Sequence, residues 1–140
     1  VSQNLPAGAA INATGDPMFD TYLFSLDRSN ITVTVSNLGA GRYHFYLYGH
    51  AAADVTGEQN SVFSLQLGTN SWGPLTALGA SGWKAGQPWQ ERQQYVVFRD
   101  IVAREGEPVR IEVAASGNGI PVLNGLQILS RGTSPPCSRR

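Results

Sequence analysis

Three tryptophans, Trp72, Trp83 and Trp89, fall within eighteen residues of one another, interleaved with glycines and with Lys84, Gln87, Gln90 and Glu91. That combination suits one kind of ligand. A pyranose ring presents an apolar C–H face and a rim of hydroxyls, so a site for it needs a flat aromatic platform beside a few planar polar groups. Trp83, between Gly82 and Lys84, is the best placed of the three to stand exposed, and Trp72 is the second platform candidate. Trp89 lies just before an apolar run and reads first as a plug at the end of the core and second as a platform. Gln90 and Glu91 either grip hydroxyls or simply face solvent.

A second stretch carries polar-tipped aromatic groups. Arg42 to His50 has the strongest strand composition in the chain. Alternation puts Tyr43, Phe45 and Leu47 on one face, as core, and His44, Tyr46, Tyr48 and His50 on the other. The latter row is either a second buried layer or a ligand surface; Tyr48 and His50, nearest the loop end, are its site candidates. Two histidines at that spacing do not make a zinc site, since the chain has no third histidine and its single cysteine, Cys137, lies in the tail. Asp16 and Asp20 are hard-oxygen candidates for a structural calcium ion, set against turn capping by Asp16 in Gly15-Asp16-Pro17. No other cofactor is implied. For catalysis only Glu91 and Asp100 can be nominated as a carboxylate pair, and they fall at opposite ends of one strand region. There is no nucleophile elbow and no phosphate-cradling loop. The chain therefore reads as a non-enzyme.

Ten basic and ten acidic residues cancel, and 14% charged residues is well below the roughly 25% of ordinary domains. A nucleic-acid partner would need a basic surplus, so none is expected. No apolar run is long enough for a membrane helix, so no membrane partner is expected either. Length argues for one domain over residues 1–131, with 132–140 as a flexible tail or linker remnant, and the abrupt start reads as a module excised from something longer. The expected setting is secreted or cell-surface, and a secreted domain without disulfides fits a bacterial export route better than a eukaryotic one.

Sixteen glycines and eight prolines favour a turn-rich all-β chain. Inward sets are Ile31, Val33 and Val35; Phe63, Leu65 and Leu67; and Val109, Ile111 and Val113. The Ile31 strand is expected to pair with the central one as a hairpin through Asn37 to Gly41. Ala51 to Gln59 is expected as a loop, Gly68 to Pro88 as a long functional loop with room for one short strand, and Ile120 to Leu129 as one final strand. About seven or eight strands without a helical stripe predict an antiparallel β-sandwich.

The closing Val122-Leu123-Asn124-Gly125-Leu126-Gln127-Ile128 resembles the final strand of malectin-like and related galactose-binding-like jelly rolls. Arg42 to Tyr48 is similar to their central strand, and Gln94 to Phe98 followed by Pro108 to Ile111 to their later hairpin. The likeness spans Ile31 to Leu129. It implies a jelly-roll carbohydrate-binding module that binds a polysaccharide or oligosaccharide and targets an attached catalytic domain of the same parent chain. The alternative is a structural or adhesive domain of a larger extracellular protein with no glycan ligand.

Overall fold

In the computed structural model, residues 7–11, 16–19, 21–54, 57–78 and 86–132 are described. Among them the chain forms eleven strands and no helix: β1 (Ala7–Ile11), β2 (Thr21–Ser25), β3 (Ile31–Val35), β4 (Gly41–Tyr48), β5 (His50–Asp54), β6 (Gly57–Leu67), β7 (Asn70–Thr76), β8 (Tyr95–Ala103), β9 (Val109–Ala115), β10 (Val122–Leu123) and β11 (Gly125–Ser130). No helix among these residues is long and apolar enough to cross a membrane. Every pairing between the named strands is antiparallel. The strands form three sheets. One has the order β1-β2-β10, a second β11-β4-β8, and a third β3-β9-β6-β5, with β7 also paired to β6.

The period-two pattern positions the core. Ile31 and Val33, Phe63, Leu65 and Leu67, and Val109, Ile111 and Val113 all turn to the same side of the large sheet and are buried. Phe45 and Leu47 from β4 meet them with Val96, Phe98, Ile101 and Ala103 from β8 in one continuous apolar cluster. Burying each such side chain contributes about 1.5–3 kcal/mol, so this shared cluster holds the two sheets together.

Two expected connections come out differently. β3 pairs with β9, not with β4, because Leu38 packs against the core and the segment from Ser36 to Ala40 arches over the core from one sheet to the other. The segment expected as a loop after Gly49 is a strand pair, β5 against β6. The strand allowed for in the long segment after Gly68 is β7, which returns along β6 after the Gly68-Thr69 turn.

The remaining difference concerns the chain's two corners. Arg42 to His50 is not one strand: it leaves the β4 sheet at Gly49, and His50 begins β5 in the large sheet. The last strand is likewise split at Asn124, between β10 and β11. Gly49 is packed so tightly that an added Cβ would lie 2.5 Å from the Phe63 ring and 2.8 Å from the Val122 carbonyl. Asn124 joins the corners: its N–H donates to Tyr48 O at 2.8 Å, its Oδ1 accepts the His50 N–H at 2.7 Å, and its Nδ2 donates to Thr21 O at 3.1 Å. Ser61, wholly buried on β6, donates its hydroxyl to Val122 O at 2.6 Å and accepts the Val122 N–H at 2.9 Å. Removing that hydroxyl leaves a buried donor and a buried acceptor unpaired, each costing about 1–3 kcal/mol. Ser61→Ala is therefore expected to lower the urea midpoint by an amount equivalent to about 2 kcal/mol or more, without a change of m-value, whereas Ser130→Ala on the exposed end of β11 leaves the midpoint within experimental error.

The turn after β2 carries a separate electrostatic tie. Asp27 Oδ1 accepts the Ser25 hydroxyl at 2.6 Å and the Ser29 N–H at 3.0 Å, and these bonds, the Ser25 hydroxyl foremost, hold its carboxyl down to about 2 from an ordinary 3.8. With the folded value below the unfolded one, the contribution is complete above pH 3.8 and is lost as the pH falls from there towards about 2. Thermal unfolding followed across that window should fall less steeply for Asp27→Asn than for the wild type; parallel curves would show that the turn holds no such charge.

Candidate functional site

The outward face of β11-β4-β8 carries the aromatic residues. Register aligns Tyr48 with Tyr95 and Gly125, and Tyr46 with Val97 and Gln127. Side chains of one face therefore run across the three strands in rows. The rings form a ladder. Tyr46 and Tyr95 have centroids 6.3 Å apart at 38°, Tyr95 and Tyr48 5.5 Å apart at 34°, and Tyr48 meets Trp89 edge-on at 5.3 Å and 70°. Each such pair adds about 0.5–1.5 kcal/mol beyond its buried area.

One end of the ladder is roofed. Phe19, fully buried, stands edge-on to Tyr48, His50 and Trp89. Asp16 sets this roof: its Oδ1 accepts the Met18 N–H at 3.0 Å, its carbonyl accepts the Phe19 N–H, and its Oδ2 accepts the indole N–H of Trp89 at 3.1 Å. Met18 lies over Gly125, where a Cβ would come within 2.6 Å of its sulfur. The other end is open. Tyr46 and Tyr95 are half-buried and Gln127 is exposed.

Charged groups flank the open end. Arg99 on β8 grips Glu91 through both guanidinium nitrogens, Nη1 to Oε1 at 2.7 Å and Nη2 to Oε2. The hydrogen bonds from Arg99 hold the Glu91 carboxyl below its ordinary range, and the same bonds raise the guanidinium. Gln90 donates its backbone N–H to Oε1 of the buried Gln94 at 2.8 Å, which fixes the turn leading into β8. Farther along, β8 places two residues, Arg99 and Asp100, opposite His44 alone. At this bulge Asp100 takes a φ of 57°, donates its N–H to His44 Nδ1 at 3.0 Å and pairs with Arg42 at 3.4 Å.

Set against the sequence expectations, these positions divide. Tyr48 and His50 are interior, 3% and 4% exposed, because the Phe19 roof covers the end of the sheet that the sequence leaves open; neither can be touched by a sugar as the molecule stands. Trp72 is half-buried. It pairs with Leu65 on β6, and since Leu65 points inward, parity sends the indole to the core, where it packs against the apolar cluster. Trp89 is half-buried with its N–H spent on Asp16, close to the plug reading. Gln90 keeps an exposed side chain, and Glu91 is part of an ion pair. Trp83, Lys84 and Asp20 lie outside the described residues, as does the chain from residue 133 on, with Cys137. Asp16 uses both carboxylate oxygens on N–H donors, and among the described residues no three His, Cys, Asp or Glu side chains cluster as metal ligands. Tyr95, Arg99 and Gln127 were not singled out from the sequence, although Tyr95 and Gln127 sit within stretches quoted for the family likeness. Only the strand register reveals that they share a face with Tyr46.

Burial raises the Tyr48 phenol above its ordinary range, with the neighbouring Tyr95 and Tyr46 acting in the same direction. Its hydroxyl donates to Gln127 Oε1 at 2.9 Å. Because the folded value lies above the unfolded one, stability is complete below pH ~10 and is lost as the pH rises beyond it. Spectrophotometric titration of the folded protein should contain one tyrosine step above the ordinary range, and that step should vanish in Tyr48→Phe; its persistence in the variant would assign the buried phenol elsewhere. Compared with known proteins, the chain matches no family model, no curated protein and no solved structure.

Proposed function

We propose that this protein is a non-catalytic carbohydrate-binding module, a jelly-roll β-sandwich that binds a polysaccharide on the open end of its β11-β4-β8 face and targets an attached catalytic domain of the same parent chain outside the cell. The sandwich reading is supported by a core shared between two sheets and by successive strands that pass between them. The observation that carries the binding reading is the half-open ring pair Tyr46 and Tyr95, tilted by 38° to each other on the outer face of a sheet. A sugar laid on Tyr46 gives its C–H face to the ring and its hydroxyls to the Gln127 amide and the Arg99–Glu91 fork. Trp83 remains the sequence's own platform candidate and joins the proposal on that ground. Affinity is modest, since each hydrogen bond in a wet site exchanges for one with water.

Affinity electrophoresis on a panel of neutral soluble polysaccharides tests this. At least one should retard the wild type, and Tyr46→Ala should weaken that retardation about tenfold, equivalent to about 1.4 kcal/mol, with Trp83→Ala showing a loss of its own. Absence of retardation on every glycan would favour the structural or adhesive role, and release of reducing ends by the domain would make it an enzyme.

A further inference from the structure

The large sheet has an outer face of its own, and its chemistry is the reverse of the aromatic one. Alternation turns Thr32 and Thr34 of β3, Arg110 and Glu112 of β9, Ser64 and Gln66 of β6, and Ser71 of β7 away from the core. Register lines them up in two rows: Thr34, Arg110, Gln66 and Ser71 in one, Thr32, Glu112 and Ser64 in the other. The face is not flat. Short serines between longer side chains leave a groove of about 290 Å³ lined by Ser64, Leu65, Gln66, Ser71, Arg110 and Glu112. The Gly73-Pro74 bulge opposite Ser64 deepens the contrast, since no side chain larger than the proline ring stands there.

The groups around this groove are unequally occupied. Glu112 accepts the Asn30 amide at 2.8 Å on one oxygen, and among the described residues Gln66 reaches Gly68 O at 3.4 Å. Arg110 makes no ion pair among the described residues. A guanidinium fork matches a carboxylate with two parallel hydrogen bonds. Serine hydroxyls and a carboxamide match vicinal hydroxyls, and the second oxygen of Glu112 accepts from them as well. With no aromatic floor, a neutral sugar would have nothing to stack on, so the ligand must bring a charge of its own.

We propose that this groove is a second binding site, specific for a carboxylate-bearing sugar residue of an acidic glycan, with Arg110 taking the carboxylate and Ser64, Gln66, Ser71 and Glu112 the hydroxyls. It is independent of the aromatic face and stands or falls separately. An acidic peptide is disfavoured by Glu112, which would face its carboxylates with no hydroxyls to accept from.

Calorimetric titration at low ionic strength with polygalacturonate and alginate, each beside its carboxyl-reduced form, decides the matter. Measured in the Tyr46→Ala background, which removes the neutral-sugar platform, the protein should bind at least one of the acidic polymers and neither reduced form, with affinity falling as salt is raised. Arg110→Gln should weaken binding about tenfold or more. Ser71→Tyr, which fills the groove without altering charge and suits a strand, should do the same, while Arg131→Gln, an equal loss of charge elsewhere, should bind as the wild type. Failure to bind either acidic polymer, equal binding of a reduced form or of polyglutamate, or equal losses in Arg110→Gln and Arg131→Gln would each overturn the assignment. Neutral-polysaccharide retardation reads the other face, so either result can fail alone.

Discussion

The architecture depends on one constraint: a backbone that changes sheets must not strand its amide groups in the interior. The chain crosses between sheets at Gly49 and again at Asn124, and the crossings touch. At each of them a strand's ladder of hydrogen bonds ends inside the protein, where an unpaired N–H or C=O costs about 1–3 kcal/mol. Asn124 meets the cost at one corner with its side-chain oxygen on the His50 N–H and its amide on Thr21 O. Ser61 meets it at the other by serving both backbone groups of Val122. Gly49 is what permits this proximity, because the Phe63 ring and the Val122 carbonyl occupy the space a side chain would need.

From that junction follows the character of the aromatic face. Tyr48 and Gly125 sit beside the crossings and in register with Tyr95, so the ring ladder begins where the structure is most tightly tied and runs outward to Tyr46. Its inner rungs are buried under Phe19 and held by Trp89, whose indole is fixed in turn by Asp16. The outer rungs inherit this rigidity without being covered. Rings anchored in this way on a sheet face have little conformational freedom left to lose, unlike rings carried on a loop.

Much of the core was legible because burial obeys a period of two. Phe63, Leu65 and Leu67 need only their own alternation to declare an inward side, and Val109, Ile111 and Val113 likewise. Partner choice was not legible. The stretch from Ser36 to Ala40 has hairpin composition, yet Leu38 finds core to pack against and the chain arches across instead. Gly49 and Asn124 each read as an ordinary strand or turn residue until the opposite strand shows what stands beside them. Trp72 illustrates the same limit. Its neighbours Gly73 and Pro74 suggest a loop, and only pairing with Leu65 assigns it to the core side. The roof over Tyr48 and His50 comes from Phe19, far away in sequence and in a segment with turn composition. For the candidate site, the residue types were legible in Tyr46 and Glu91, but their grouping with Tyr95, Arg99 and Gln127 is a product of register.

The two outer faces differ for a reason that lies in what each sheet must do besides enclose the core. Among the described residues the β11-β4-β8 sheet has three strands, and rings laid across its outer face cover the central strand as far as Tyr46 and Tyr95, which are half-buried. The large sheet is wider, and its central pair β9 and β6 is flanked on both sides, so its outer residues are free to be threonine, serine, glutamine and charged side chains. The same apolar cluster supports both sheets from behind, so a substitution confined to the outer face of one leaves the packing of the other intact.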